Sequence, residues 1–176
     1  MNETNRQLIS LYSKQLKLPT FSHYDEAIRQ LTGDKGYDDF LVALMQRELD
    51  HRQDGACKRK VHNAHFPYVK SLEEFDCNAL EHVTEAQIHQ LASCDFIQKK
   101  QNLIMIGNSG TGKTHLSIAL GYKACVQGMN VRFYTAANLA NELVEALDGH
   151  RLLKLEKQIT NCDLLIIDEM SYLEAV

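Results

Sequence analysis

The sequence contains no apolar run that approaches the roughly 20 residues needed to span a bilayer. Its first 15 residues, MNETNRQLISLYSKQ, hold no continuous apolar stretch after a basic start, so we predict no secretory signal. The cysteines are odd in number, widely spaced and without a CxxC pair: Cys57, Cys77, Cys94, Cys125 and Cys162. This spacing excludes a disulfide framework and a zinc site, and it favours reduced thiols in a cytoplasmic protein.

The composition is that of an ordinary globular chain. Of the 176 residues, 44% are hydrophobic and 24% are charged, which excludes wholesale disorder and collagen-like repeats. The length fits one domain, or one domain with a small appendage. The formal charge of −4 is divided unevenly, because residues 1–70 carry 11 basic against 9 acidic side chains and residues 71–176 carry 8 against 14. This asymmetry predicts two units with different roles.

The first 65 residues are predicted to be helical. Apolar residues recur at steps of three and four near the N-terminus, which predicts a helix with one buried stripe. The residues of this stripe are Leu8, Leu11, Tyr12 and Leu16. Pro19 should end the helix, because proline lacks the N–H that a helix interior needs. A short second helix should break at 33–36, and a third should run from about Phe40 to about Ala64.

After Pro67 the pattern changes to strands alternating with helices. Short apolar runs at 102–106, 131–135 and 163–167 predict strands, with helices between them. Thr84 and Gln87 have the spacing of a capping box, which predicts the start of a further helix. Strands that alternate with helices pair in parallel, so the second part should have an α/β fold with a parallel sheet.

Residues 107–114 read GNSGTGKT and match the phosphate-binding pattern G-x-x-x-x-G-K-[ST], between a predicted strand and a predicted helix. Its glycines let the backbone curl until successive N–H groups point into one concavity. The positive end of the following helix favours anions at the same place. Lys113 is expected to reach the β- and γ-phosphates, and the Thr114 hydroxyl is expected to bind Mg²⁺.

Residues 164–169 read LLIIDE, four apolar residues followed by two carboxylates. This pattern predicts a buried parallel strand whose C-terminal tip holds both acids, the edge at which α/β sheets bind ligands. Asp168 is expected to hold Mg²⁺, and Glu169 to act as the general base that polarises the attacking water. The catalytic candidates are therefore Glu169 and Lys113. The candidate cofactor-binding residues are Gly107, Asn108, Ser109, Gly110, Thr111, Gly112, Lys113, Thr114 and Asp168, with Thr114 and Asp168 as the Mg²⁺ ligands.

The acid after Asp168 favours an ATP hydrolase that couples turnover to movement. A GTPase would read D-x-x-G here and N-K-x-D later, whereas this chain reads DEMS and has no NKxD. His115 is expected to pack against the start of its helix. Arg132 and Arg151 are weaker candidates for contacts with a neighbouring subunit's phosphate, and the basic run at 58–60 is a weaker candidate for DNA phosphates.

With both motifs, the chain resembles the IstB-type transposition helper ATPases, relatives of the DnaC helicase loaders within the AAA+ superfamily. The resemblance rests on the segments LKLPTF, HFPYVKSLEEFD, LASCDFIQKKQNLIMIGNSGTGKTHLSIALGYKAC, VRFYTAANLANEL and DLLIIDEMSYL, which are spread over nearly the whole chain. The phosphate loop alone is shared by many families. The segment HFPYVKSLEEFD, which we interpret as a linker, and the DExxYL ending are far more specific to this family.

The resemblance implies an N-terminal helical domain at 1–65 that meets the transposase or DNA. It implies a linker and the start of the ATPase module at 66–100, and a partial AAA+ ATP-binding core of P-loop type at 101–176. The implied cofactors are ATP and Mg²⁺. The implied partners are the transposase of the same insertion sequence, double-stranded DNA and, in the full-length form, further copies of the protein, without a membrane.

The resemblance also implies further strands after DExxYL, among them the central strand of the sheet and the segment that bears the arginine finger. Because the sequence ends at Val176, we expect a sheet with a gap, unpaired edges and weak or absent hydrolysis. Three functions stay open on this basis. They are an ATP-binding helper of transposition, a DnaC-like helicase loader, and a truncated remnant that does not hydrolyse ATP.

Overall fold

The structure, a computed structural model, describes residues 3–30, 37–75 and 84–170. The chain divides into two compact units, Met1–Ala56 and Cys57–Val176. The break predicted at 33–36 and the tyrosine and leucine of the DExxYL ending lie outside the described residues. Within the described ranges, no helix combines the length and the apolar character that crossing a bilayer requires.

The first unit is built from helices. Helix α1 (Glu3–Gln15) is followed by a short 3-10 turn (Pro19–His23), by α2 (Tyr24–Gln30) and by the first part of α3 (Tyr37–Ala64). The helix predicted to end before Pro19 does so, and the predicted third helix is confirmed. Proline takes the first position of the 3-10 turn, where its missing N–H costs no hydrogen bond.

A buried carboxylate joins the 3-10 turn to α3. Glu48 accepts hydrogen bonds from the Thr20 backbone N–H at 3.3 Å, from the Thr20 hydroxyl at 2.6 Å and from Arg52 Nε at 2.8 Å. Burial acts to raise the pKa of Glu48, but these hydrogen bonds and the Arg52 charge outweigh it and leave that pKa below its ordinary value. The side chain therefore stays charged at neutral pH although it lies inside the unit.

The predicted apolar stripe, which lies on α1 and on Leu16 just after it, is exposed, so the prediction that it is buried is wrong. Its four members are between 40% and 66% exposed, whereas Ser13, on the same helix, is 3% exposed. The Ser13 hydroxyl can be buried because it donates to the Ile9 carbonyl oxygen at 2.6 Å. Periodicity correctly predicted the helix, but burial depends on which elements pack against each face, and the spacing within one helix does not determine that.

The second unit combines the remaining helices with a two-stranded parallel sheet. Its helices after α3 are α4 (Glu85–Ala92), α5 (Asp95–Gln98), α6 (Lys113–Val126), α7 (Ala136–Asp148) and α8 (Leu152–Thr160), and its strands are β1 (Val131–Thr135) and β2 (Leu164–Asp168). The strands pair in register from Val131 with Leu164 to Thr135 with Asp168. The predicted α/β class with a parallel sheet and a helical N-terminal region is confirmed.

The capping box predicted at the start of α4 is formed. The Thr84 hydroxyl oxygen accepts from the Gln87 backbone N–H at 3.3 Å, and the Gln87 side-chain oxygen accepts from the Thr84 backbone N–H at 2.9 Å. Two N–H groups that the helix leaves without a partner are thereby satisfied.

Helix α6 packs into two apolar clusters. One cluster joins it to the sheet and contains Ile118, Ala124, Cys125, Val131, Phe133 and Ile166. The other joins it to α4 and to Phe75, at the end of the segment HFPYVKSLEEF, and it contains Phe75, Ile88, Leu116 and Leu120. These contacts hold the first turn of α6 in place beside the C-terminal ends of β1 and β2.

The strand predicted at 102–106 is absent, and this part of the prediction is wrong. Residues 101–108 have no regular secondary structure, and none of the backbone hydrogen bonds found among the described residues involves 102–106. Met105 packs against the cluster of α4 and α6, but Ile104 is 79% exposed and Ile106 is 93% exposed. A strand needs a neighbouring strand to complete its hydrogen bonds, and no described strand pairs with this segment.

Gly121 of α6 provides a test of this packing. A Cβ placed on it would lie 2.7 Å from Ile166 Cδ1 and 2.9 Å from the Phe66 ring, so an added methyl group has no room. We predict that Gly121→Ala lowers the free energy of unfolding by about 1–3 kcal/mol, as overpacking does. Gly55→Ala, within α3, is the control and should instead raise stability by about 1 kcal/mol. Urea unfolding measures both, and equal stabilisation by the two changes would contradict this close packing.

Candidate nucleotide-binding site

The glycine loop at 107–114 leads directly into α6. Gly110 has a φ of +80° and Gly112 a φ of +88°, the left-handed conformation that residues with a Cβ rarely adopt. Gly112 is the N-cap of α6, and Lys113 is the first residue of that helix. The loop therefore delivers the free N–H groups of the first helical turn to one place, as the sequence pattern requires.

The Lys113 side chain lies against its own loop. Its Nζ donates to the Gly107 carbonyl oxygen at 2.8 Å and to the Asn108 carbonyl oxygen at 2.6 Å, and it lies 3.4 Å from the Thr111 hydroxyl. The Thr111 hydroxyl in turn donates to the Asn108 carbonyl oxygen at 3.0 Å. The ammonium group is thus held by carbonyl oxygens of the loop to which it belongs.

The two predicted motifs meet at one hydrogen bond. The Thr114 hydroxyl, in the first turn of α6, donates to Asp168 Oδ2, at the end of β2, at 2.7 Å. The two residues are 54 positions apart in the chain, so only the fold brings them together. A hydroxyl oxygen beside a carboxylate is a pair of the hard oxygen ligands that Mg²⁺ prefers.

Glu169 follows β2 immediately and takes an unusual backbone conformation. Its φ is +57°, which is uncommon for a residue with a side chain and is often found at functional sites. It lines the same cavity as Thr114 and Asp168. The structure thus brings Glu169 into one cavity with Thr114 and Asp168, whereas Lys113 and residues 107–112 are not among the residues that line it.

That cavity has a volume of about 970 Å³ and extends from the carboxyl ends of both strands across polar side chains. Its further lining includes Arg132, Tyr134, Thr135, Asn138 and Glu142. Burial raises the pKa of the Tyr134 hydroxyl, and the neighbouring Glu142 carboxylate raises it further. Tyr134 is therefore a neutral hydrogen-bonding group at physiological pH.

The residues present fit Mg²⁺ and a triphosphate by their chemistry. Thr114 and Asp168 would hold the cation, and the loop with Lys113 would hold the phosphates. Among the described residues, no group of three or more His, Cys, Asp or Glu side chains forms a cluster that could hold a metal ion. A cation at this place would therefore depend on the Thr114–Asp168 pair and on oxygens that the phosphates bring.

His115 and the weaker candidates lie in different surroundings. His115 packs edge-on against Phe75, with ring centroids 5.2 Å apart. Lys60, in the basic run at 58–60, donates to the Asn130 side chain at 2.8 Å. Arg132 lines the cavity, whereas Arg151 lies exposed before α8. The loop residues Asn108 and Ser109 are exposed, which leaves their backbone accessible to a ligand.

Two residues of this region were missed from the sequence. Thr135 pairs with Asp168 across the sheet, and its hydroxyl oxygen accepts from the Asn138 N–H at 3.2 Å, which caps α7. A threonine between a predicted strand and a predicted helix is a cap signal that could have identified it. Phe75 lies on the loop from a distant part of the chain, and no local pattern indicates that contact.

The chain matches the family model described as IstB-like ATP binding protein over residues 12–175. That match covers most of the chain, including both motifs of the site. The chain belongs to this family. The predicted resemblance to IstB-type helper ATPases is thereby confirmed.

Named relatives agree with the family match. An ATP-binding protein of insertion sequence IS5376 from Geobacillus stearothermophilus is 32% identical over 96% of this chain and 68% of its own length. One of insertion sequence IS21 from Pseudomonas aeruginosa is 32% identical over 90% of this chain and 61% of its own length. An IS21-like relative from Bacteroides fragilis is 27% identical over 90% of this chain and 81% of its length. The chain thus spans about two thirds of the first two relatives.

Substitution of Thr114 tests the bond that joins the two motifs. Thr114→Val keeps the shape of the side chain but removes the donor to Asp168, so it should lower the free energy of unfolding by about 1.5–3 kcal/mol, the net value of a hydrogen bond to a charged group. Thr114→Ser keeps the hydroxyl and should remain within about 0.5 kcal/mol of the parent. Chemical denaturation without nucleotide measures both. A valine variant as stable as the parent would contradict the claim that the hydrogen bond between Thr114 and Asp168 stabilises the fold.

Proposed function

We propose that this chain binds Mg·ATP at the loop 107–114 and Asp168 and serves as an ATP-binding helper of insertion-sequence transposition. The observation that carries the nucleotide part is the 2.7 Å hydrogen bond between Thr114 and Asp168. It joins a phosphate-binding loop to a carboxylate at the end of a parallel strand, as the site of a P-loop ATPase requires.

Each residue of the site has a role that its chemistry supports. The N–H groups of the loop and of the first turn of α6 bind phosphate oxygens, and Lys113 adds a positive charge. Thr114 and Asp168 orient each other before any cation arrives, which lowers the cost of forming the site. A bound Mg²⁺ would supply positive charge that offsets the negative charge of the phosphate oxygens. We assign to Glu169, which lines the same cavity, the role of accepting a proton from a water molecule.

Transposition is favoured over helicase loading by the relatives, several of which are named as ATP-binding proteins of insertion sequences. We assign contacts with the transposase and with double-stranded DNA to the helical segment 1–65, a linking role to 66–100 and the nucleotide site to 101–176. Lys58 and Arg59 are exposed basic side chains on α3 that could meet phosphates. Pull-down of the transposase rather than a replicative helicase would support this choice.

The nucleotide part is tested by calorimetric titration of the parent and two variants with Mg·ATP. Lys113→Ala should raise the dissociation constant by about 100-fold, because it removes charge-assisted hydrogen bonds to phosphate worth about 2.7 kcal/mol. Glu169→Gln should keep the affinity within about threefold, since glutamine keeps the size of the side chain, and it should lose whatever turnover the parent shows.

Lys154→Ala is the matched control, because Lys154 is an exposed lysine on α8 outside the loop. It should bind Mg·ATP as the parent does. If Lys113→Ala binds as well as Lys154→Ala, the loop is not the phosphate site and the proposal fails. If Glu169→Gln loses binding as well as turnover, the role assigned to Glu169 is wrong.

A further inference from the structure

Phe75 is a buried aromatic residue that anchors the linker to α6. It follows a short 3-10 turn, Leu72–Glu74, and its backbone N–H donates to the Leu72 carbonyl oxygen at 3.1 Å. Its side chain is 8% exposed and packs in one cluster with Ile88 of α4 and with Leu116 and Leu120 of α6. The ring is therefore held in place by its contacts with α4 and α6.

The ring of Phe75 also lies directly on the phosphate loop. A Cβ placed on Gly112 would lie 3.2 Å from Phe75 Cε2 and 3.6 Å from Cζ, so the ring occupies the space beside this glycine. Gly112 has a φ of +88° as well. The residue at 112 is thus restricted twice, once by its backbone conformation and once by the Phe75 ring.

The same ring also contacts His115, which follows Lys113 and Thr114 in the chain. Its plane stands at 88° to that of His115, with the ring centroids 5.2 Å apart, which is the favourable edge-to-face arrangement. The buried Nε2 of His115 has no hydrogen-bond partner among the described residues, so no hydrogen bond from that atom accompanies the contact with Phe75. Phe75 therefore bridges Gly112 and His115, which flank Lys113 and Thr114.

Direct contact between Phe75 and a nucleobase does not fit these surroundings. A stacking platform needs an open aromatic face, whereas this ring is 8% exposed and is covered by Gly112, His115 and the apolar cluster. Phe75 can influence a ligand only through the loop that it touches.

We propose that Phe75 is a positioning residue of the nucleotide site, whose ring holds Gly112 and His115 and so fixes the N–H groups at the start of α6 in the orientation that phosphate requires. This proposal rests on the proposed function for its ligand. The turn before Phe75 contains two local contacts of its own, a Lys70–Glu74 ion pair at 3.1 Å and a hydrogen bond from Ser71 that lowers the pKa of Glu73. The linker thereby becomes part of the site.

The test compares Phe75→Ala with Ile88→Ala at a temperature at which both variants are folded. Ile88 is 5% exposed and belongs to the same apolar cluster, but it lies on α4. Both variants should melt at a lower temperature than the parent. Phe75→Ala should in addition raise the dissociation constant of Mg·ATP about tenfold, whereas Ile88→Ala should leave it within about twofold. Phe75→Leu, which keeps most of the apolar volume, should recover part of the lost affinity.

Equal affinities of Phe75→Ala and the parent would overturn the proposal, and so would an equal loss in Ile88→Ala, because the effect would then be general destabilisation. A parent that does not bind Mg·ATP would refute the proposed function instead. In that case, melting of a double-mutant cycle tests the contact without ligand. Gly112→Ala should cost less in the Phe75→Ala background than in the parent, and strictly additive effects would overturn the role of Phe75.

Discussion

The close approach of α6 to the sheet is the constraint on which the site depends. Gly121 allows the helix to lie against Ile166 and Phe66 without a side chain between them. Because α6 begins with Lys113 and Thr114, its position relative to β2 decides whether the hydroxyl of Thr114 reaches Asp168. The packing of an apolar helix thus sets the distance between two polar groups that are far apart in the sequence.

The loop is held from three directions by different kinds of contact. The hydrogen bond between Thr114 and Asp168 joins the loop to the sheet. The Lys113 side chain donates to the Gly107 carbonyl oxygen within the loop. The Phe75 ring, from the linker, packs beside Gly112. Backbone N–H groups bind phosphate well only when they are already oriented, because ordering them on binding would cost conformational entropy. In this account the apolar cluster around Phe75 stabilises the fold and prepares the site as well.

The sequence was most informative where a signal is local. The capping box at Thr84, the two strands that pair in the sheet and the loop before α6 follow from the spacing of neighbouring residues, and the structure contains them. The burial of α1 and the strand at 102–106 were predicted wrongly, because both depend on partners that spacing cannot identify. Ile106 has the composition of a strand residue, but it is 93% exposed, since no described segment covers it.

The same distinction holds within the site. The roles expected of Lys113, Thr114 and Asp168 follow from the type and order of the residues in the motif. They stay predictions until nucleotide binding is measured. The contact between Phe75 and Gly112 joins positions 37 residues apart through side-chain packing. A single sequence contains no pattern for such a contact, so only the folded arrangement reveals it.

The most direct measurement of the central claim is a melting curve of this chain with Mg·ATP, and with ATP after Mg²⁺ has been removed by a chelator. A ligand at about 100 times its dissociation constant adds about 2.7 kcal/mol to stability, which raises the midpoint by about 5–10 °C in a domain of this size. We predict a shift of that order with Mg·ATP and a smaller one without Mg²⁺. Identical midpoints with and without nucleotide, at millimolar concentration, would contradict it.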